Sequence, residues 1–216
     1  MKACILLNGK IEDLNFLKKT IDKENYDCII CADGGANFLY KIKVVPDYIL
    51  GDLDSLELKV KKYFKEKGVN FKKFPERKNE TDTQLCIHLA KGLGIVDIDL
   101  LGALGGRIDH TVANINLMYY IKKLGLNPVI KNNKEYLYMI ENEYIDIFGK
   151  KGDTISVLPV NGDSAGITLE GLEYPLKDAT IEYGDPIGIS NVMESDKCRI
   201  TVEKGTLLIV KNIEPV

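Results

Sequence analysis

Long apolar runs, histidine clusters and an excess of either charge are all missing from this chain of 216 residues. No apolar run reaches the roughly 20 residues of a membrane span, which excludes a helical membrane protein. The 29 basic and 32 acidic side chains leave a formal net charge of −3, without the basic footprint of a nucleic-acid binder. The start, "MKACILLNGKIEDL", has neither an extended apolar h-region nor a small-residue cleavage site, so no signal peptide is expected and the address is cytoplasmic. The five cysteines are an odd count and include one Cys-x-x-Cys, Cys28 and Cys31. It lies inside the strand-like run "YDCIICAD", where positions i and i+3 face opposite sides, and no second pair follows. Buried, reduced core cysteines are expected rather than a redox or zinc site. No G-x-x-x-x-G-K-[ST] is present, and no G-x-G-x-x-G follows a strand.

What is present is the make-up of an ordinary globular protein, 45% apolar and 28% charged, in a length that buries one large core or two modest ones. Residues 1–133 alternate short apolar runs ("ACILLNG", "DCIICADGG", "DYILGDLD", "DIDLLGALGG", "NPVIKNN") with helical patterns. The helix candidates are "EDLNFLKKTIDK", "SLELKVKKYFKEKG", "TDTQLCIHLAKGLG" and "DHTVANINLMYYIKKLG". In the last, Val112, Ile115, Met118 and Leu124 keep a helical period, and Gly125 is the stop signal. This alternation predicts a largely parallel sheet covered on both faces. Residues 134–216 read instead as short strands punctuated by Gly, Asp, Asn and Pro, which predicts a small β-sandwich. Within it "RITVEKGTLLIV" is expected to form a hairpin turning at Lys204-Gly205.

The polar residues gather where strands of the first region end. Asp33-Gly34-Gly35-Ala36-Asn37 follows "CIICA", Gly51-Asp52-Leu53-Asp54-Ser55 follows "YIL", and Ala103 to His110 follows "DIDLLG". A fourth cluster, "RKNETDTQ", opens a helix and carries Glu80 and Asp82. In an open parallel sheet this carboxyl edge is where ligands bind. Asp54 with Glu57 has the spacing of a capping box and Asp82 sits at a helix start, so either acid alone reads equally well as a cap. Capping does not account for Asp33, Asp52 and Asp109 as well. In "YILGDLDSLE", Asp52 and Asp54 share a face if the chain is extended. Two charges about 5 Å apart repel by roughly 3 kcal/mol at an effective dielectric near 20, a penalty that a divalent cation reverses. Oxygen-only ligands suit Mg2+, which commonly joins carboxylates to substrate phosphates. In "GALGGRIDH" the glycines and a following helix N-terminus suit an anion, with Arg107 as a phosphate fork. His110 reads as a general base or a helix-start residue, and His88, mid-helix, as structural.

"ADGGAN", "GDLDS", "NETDTQ" and "GGRIDHTVANINLM", in this order, with "GISNVME" in the second region, resemble the thiamine pyrophosphokinase (thiamine diphosphokinase) family over nearly the whole chain. The resemblance implies an α/β nucleotide- and metal-binding domain at 1–133 and a thiamine-binding β-sandwich at 134–216. It implies a homodimer whose active sites are shared between subunits, and transfer of pyrophosphate from ATP to thiamine with Mg2+. By motif, Asp52, Asp54 and Asp82 are implied to hold the metal and, with Arg107, to serve catalysis. Asp33, Gly34, Gly35, Asn37, Thr81, Gln84, Arg107 and Asp109 are implied to line the nucleotide site, and Ser190 and Asn191 to contact thiamine. Asn79 stands where many relatives have an acid. Some relatives stack a tryptophan on thiamine; this chain has none, and Tyr183 is the aromatic alternative. The competing readings are another Mg2+-dependent nucleotide-using transferase, for instance one acting on nucleotide sugars, and a silent thiamine or nucleotide sensor.

Overall fold

The computed structural model describes residues 1–75 and 79–213, so Arg77 and Lys78 of the "RKNETDTQ" cluster lie outside the described residues. The chain divides into two compact units, Met1–Asn133 and Lys134–Val216. The first runs β1 (Lys2–Leu6), α1 (Leu14–Glu24), β2 (Cys28–Ala32), a 3-10 turn (Asp33–Gly35), α2 (Ala36–Ile42), β3 (Tyr48–Gly51), α3 (Leu58–Glu66), β4 (Asn70–Lys73), α4 (Asp82–Gly92), β5 (Asp97–Leu101), α5 (Ile108–Lys123) and β6 (Asn127–Lys131). Its strands pair in parallel in the order β4-β3-β2-β1-β5-β6. Both faces are buried, as the unbroken apolar runs require. Cys4, Leu6, Cys31 and Ile49 pack with Leu17 and Ile21 of α1, Leu39 of α2 and Val60 and Phe64 of α3. The alternate residues Ile5, Ile30 and Leu50, also buried, face the other way, where Cys86, Ile87 and Ala90 of α4 are buried.

Local chemistry sets the helix ends. Asp13 caps α1 through the amides of Asn15 and Phe16, and Asn25 closes it in the left-handed conformation. Thr81 and Gln84 form a reciprocal capping box at the start of α4. In α5 the anticipated apolar period is only partly buried: Met118 is buried, Ile115 and Leu124 are half-buried and Val112 is exposed, while Ile121, outside that period, is buried. All five cysteines are free and buried, and burial pushes the Cys28 thiol up to about 12, so it stays protonated. Asp99, in the middle of β5, is buried but paired: it accepts from Tyr26 Oη at 2.6 Å, Lys131 Nζ at 2.8 Å and Lys2 Nζ at 3.0 Å. Both lysines also reach Glu24 at the end of α1. No helix among the described residues is long and apolar enough to cross a membrane.

The second unit contains β7 (Glu135–Glu141), β8 (Tyr144–Phe148), β9 (Thr154–Glu170), β10 (Leu176–Ile181), β11 (Asn191–Val192), β12 (Lys197–Thr201) and β13 (Lys204–Asn212). β13 pairs antiparallel with β7 and with the first half of β9, which also pairs with β11. The second half of β9 pairs with β10 and β12, and β12 with β8. β9 thus passes from one sheet to the other, turning where Asn161 and Gly162 take positive φ, and Ile155, Val157, Ile167, Ile200, Leu207 and Ile209 fill the layer between. The expected hairpin at Lys204-Gly205 does not form. β12 and β13 lie in different sheets because the linking residues bond elsewhere: the Val202 amide to Glu143 O and the Glu203 amide to Ala165 O. Val202, buried, anchors this corner.

Candidate active site

In the first unit, strand connections run outward from β1 through β2 and β3 to β4, then resume on its other side with β5. That switch point opens a crevice at the carboxyl ends of β1 and β5. The crevice is a cleft of about 950 Å³, formed by the loops after β1, β2, β3 and β5 and by the starts of α4 and α5.

Asp33, directly after β2, begins the 3-10 turn with φ +40, a conformation costly for most residues and one that Asp tolerates. Its neighbours Gly34 and Gly35 let this turn sit on β1: a Cβ on Gly34 would meet the Asn8 amide at 2.6 Å, and one on Gly35 the Leu6 carbonyl at 2.7 Å. Neither glycine lines the cleft itself. Gly51 ends β3 at φ +142, where a Cβ would lie 2.9 Å from Asp33 Cβ and 3.4 Å from the Asp82 carboxylate. Only glycine lets the backbone pass so close to these two acids.

Asp52 and Asp54 do converge, but not because the chain is extended. Leu53 between them takes φ +66, and the Asp54 amide donates to Asp52 Oδ1 at 3.2 Å. The strain of a left-handed leucine is offset by burial of its side chain among Leu56, Leu39 and Val60. Asp54 is no helix cap either: α3 begins at Leu58, and the cap position is held by Glu57, whose side chain makes no capping hydrogen bond. Asp33, Asp52 and Asp54 each offer a carboxylate oxygen within 4.8 Å of the others. Asp33 is 7% exposed, and its Oδ1 is the one buried side-chain oxygen or nitrogen among the described residues without a hydrogen-bond partner. Burial pushes its carboxyl above the usual range, and the charges of Asp52 and Asp54 add to this. An orphaned buried oxygen within an all-oxygen acidic set fits a hard divalent cation such as Mg2+.

Asp82, the first residue of α4, faces Gly51 beside this group. Thr81 Oγ1 accepts from the Gln84 amide at 3.2 Å and Gln84 Oε1 from the Thr81 amide at 2.9 Å, so helix capping accounts for both side chains, which also line the cleft. Across the cleft, Arg107 forks onto Asp109, Nε to Oδ1 at 3.1 Å and Nη2 to Oδ2 at 2.6 Å. This hydrogen-bonded pair is exposed and lowers the pKa of the Asp109 carboxyl. Asn37 is absent from the lining: it bonds the backbone of Ser55 and Glu57. The sequence reading passed over Asn8, Gly9 and Lys10, which line the cleft after β1, and Asn114, whose amide donates to Ala103 O at 2.7 Å. Asn8-Gly9 directly after the run "ACILL" was the available signal. Among the described residues that line the cleft, Asp33, Asp52, Asp54, Glu80, Asp82 and Asp109 face Lys10 and Arg107 as the permanent cations, a wall that favours a bound cation.

Tyr183, Ser190 and Asn191 belong to the second unit. Ser190 takes φ +56, and its amide donates to Ser156 Oγ at 3.1 Å. Asn191 is 4% exposed: Oδ1 accepts from the amides of Tyr174 and Val192, and Nδ2 donates to Tyr174 O. Tyr183 is exposed, as are Tyr174, Ile187 and Ile189.

The family model of the thiamin pyrophosphokinase catalytic domain matches residues 20–130, and that of the thiamin pyrophosphokinase vitamin B1 binding domain matches residues 140–207. Thiamine pyrophosphokinase 1 of Oryza sativa subsp. japonica is 28% identical over 202 residues, covering 82% of this chain and 76% of its own length. Thiamine pyrophosphokinase of Bacillus subtilis (strain 168) is 25% identical over 186 residues, covering 86% and 87%. A crystal structure of thiamine pyrophosphokinase from Bacillus subtilis shares the fold, with a TM-score of 0.88 at 23% identity over 99% of this chain and 100% of that one.

Proposed function

The chain belongs to the thiamin pyrophosphokinase family, and from that premise we propose how its residues carry out the family's reaction. The activity is thiamine diphosphokinase: the hydroxyl of thiamine takes pyrophosphate from ATP, giving thiamine diphosphate and AMP. The observation that carries the site assignment is the set Asp33, Asp52 and Asp54 around the unpartnered Asp33 Oδ1, at one wall of the cleft.

These three carboxylates would hold Mg2+, with Asp82 beside them on the substrate side. Held there, Mg2+ would supply neutralisation of charge on the phosphates during displacement at the β-phosphorus. The chain's own part is positioning. The amino-terminal turn of α5 and the glycine loop before it receive the nucleotide, and Arg107 exchanges Asp109 for phosphate oxygens, charge that AMP carries away as it leaves. Asp109 holds the guanidinium ready at the rim until then. Ser190 and the exposed ring of Tyr183 contact thiamine, while buried Asn191 fixes the segment beneath them. The active enzyme is a homodimer with sites shared between subunits; exposed Ile108 and Val112 in one unit, and Tyr174, Ile187 and Ile189 in the other, are apolar groups such an interface would cover. Five free, buried thiols suit a reducing compartment such as the cytoplasm.

The test is a separation of nucleotide products from purified protein, ATP, thiamine and Mg2+. Thiamine-dependent AMP that disappears with excess EDTA supports the reading. ADP as the product, or turnover that survives chelation, overturns it.

A further inference from the structure

The loop that carries Asp52 and Asp54 is bolted to the turn that carries Asp33. Asn37, in the first turn of α2, spans the gap: its Nδ2 donates to Ser55 O at 2.9 Å, and its Oδ1 accepts from the Glu57 amide at 3.2 Å. Both groups of one planar amide are thus spent on backbone 18 and 20 residues further along the chain. The base of this bolt is rigid. Ala36 is fully buried, and the Gly34-Gly35 pair rests against the end of β1. On the loop side, Leu53 and Leu56 are buried in the core beneath α2 and α3. Leu53 holds φ +66, and between it and Leu56 lies the exposed Asp54, which takes a hydrogen bond from Ser55 Oγ at 3.1 Å. The Ser55 side chain also reaches the Asp33 carboxylate, so the Asn37 bonds hold the backbone of this loop while Ser55 and the buried Leu53 and Leu56 hold its side chains.

We propose that Asn37 is a positioning residue: it clamps the Asp52–Glu57 loop so that Asp52 and Asp54 converge on Asp33 before any cation arrives. The proposal rests on the metal-site reading above. It replaces a contact between Asn37 and the nucleotide with an action through the backbone, for which the cleft lining leaves room. A site held together in advance binds a cation without first ordering its own ligands. Losing this tie should therefore appear as roughly a tenfold weaker cation affinity, equivalent to about 1.4 kcal/mol.

The experiment is a Mn2+ titration of the whole protein by electron paramagnetic resonance, without substrates, on wild type, Asn37→Ala and Asn37→Leu. The leucine variant keeps the side-chain volume, so packing is preserved if the alanine variant unfolds. The expected result is weakening of Mn2+ binding by about tenfold in both, with the KM for thiamine unchanged. Unchanged Mn2+ binding overturns the proposal, whether activity falls or not; a raised KM for ATP in that case assigns Asn37 to the nucleotide instead. In wild type, the Glu57 amide should be protected from hydrogen exchange and gain protection when Mg2+ binds; an unprotected amide also overturns it, independently of any variant. Wild type that binds Mn2+ yet makes no AMP would sink the assigned activity while leaving the clamp standing.

Discussion

Asp33→Asn should make the cation-free protein more stable while removing its activity. The three carboxylate oxygens lie within 4.8 Å of one another. At that spacing two unit charges repel by about 3 kcal/mol at an effective dielectric near 20. Asp52 is half-buried and Asp54 exposed, so solvent screens much of this, leaving a relief of about 1–2 kcal/mol when the Asp33 charge is deleted. For a chain of this length that raises Tm by about 3–6 °C. The backbone does not object, because asparagine accepts the φ of +40 as readily as aspartate. The pH dependence has a definite sign. Burial and the two neighbouring charges raise the Asp33 pKa above its ordinary value. Its contribution is therefore favourable below the unfolded value of 3.8 and is lost as pH rises through the higher folded value. Thermal melts in EDTA should show wild type losing stability over that rise and Asp33→Asn losing less. With Mn2+ the order reverses, because only wild type gains stability from the ion. A variant less stable than wild type in EDTA at pH 7 would refute the reasoning, by showing that Asp33 is a satisfied structural group.

Replacing Asp52 or Asp54 with asparagine should lower turnover by about 10²-fold or more with the fold intact by circular dichroism; near-normal activity with unchanged Mg2+ dependence would remove both from the cation site. Ser190→Ala and Tyr183→Ala should raise the KM for thiamine several-fold more than that for ATP, whereas equal effects on both substrates would make the "GISN" segment purely structural. Glu24 tests the buried network at the far side of the sheet. Burial opposes its ionisation, but hydrogen bonds from Lys131 and Lys2 prevail and bring its pKa down from 4.5 to about 2. That depression is worth about 3 kcal/mol, present above pH 4.5 and lost as pH falls through about 2. Urea melts should accordingly show Glu24→Gln less stable than wild type at pH 7 and the gap narrowing towards pH 3; a constant gap would exclude the linkage.

The order of the layers was legible because apolar runs and helical periods differ over whole segments, and glycine and asparagine mark their ends. Short or polar elements escaped. α2 has seven residues, too few to establish a period, and β4 reads "NFKK" because it lies at the sheet edge, where lysines face solvent. The corner at Val202 looked like a hairpin since local pattern does not say which sheet a strand joins next. Asp52 and Asp54 were paired for an inadequate reason: alternation in a strand, where the structure uses a buried left-handed leucine. Asn8 and Lys10 went unnoticed because their place in the cleft comes from strand order, not from their neighbours in sequence. Asn37 lies in a motif yet works through backbone, a role that no spacing announces.

The central claim is that Asp33, Asp52 and Asp54 seat the divalent cation on which pyrophosphoryl transfer depends. An anomalous difference map from crystals grown with Mn2+ and a non-hydrolysable ATP analogue tests this most directly. The account predicts a peak within coordinating distance of all three carboxylates, with the analogue's phosphates on its open side. A peak held by Glu80 and Asp109 instead, or phosphates bound with no metal between them and these aspartates, would contradict it.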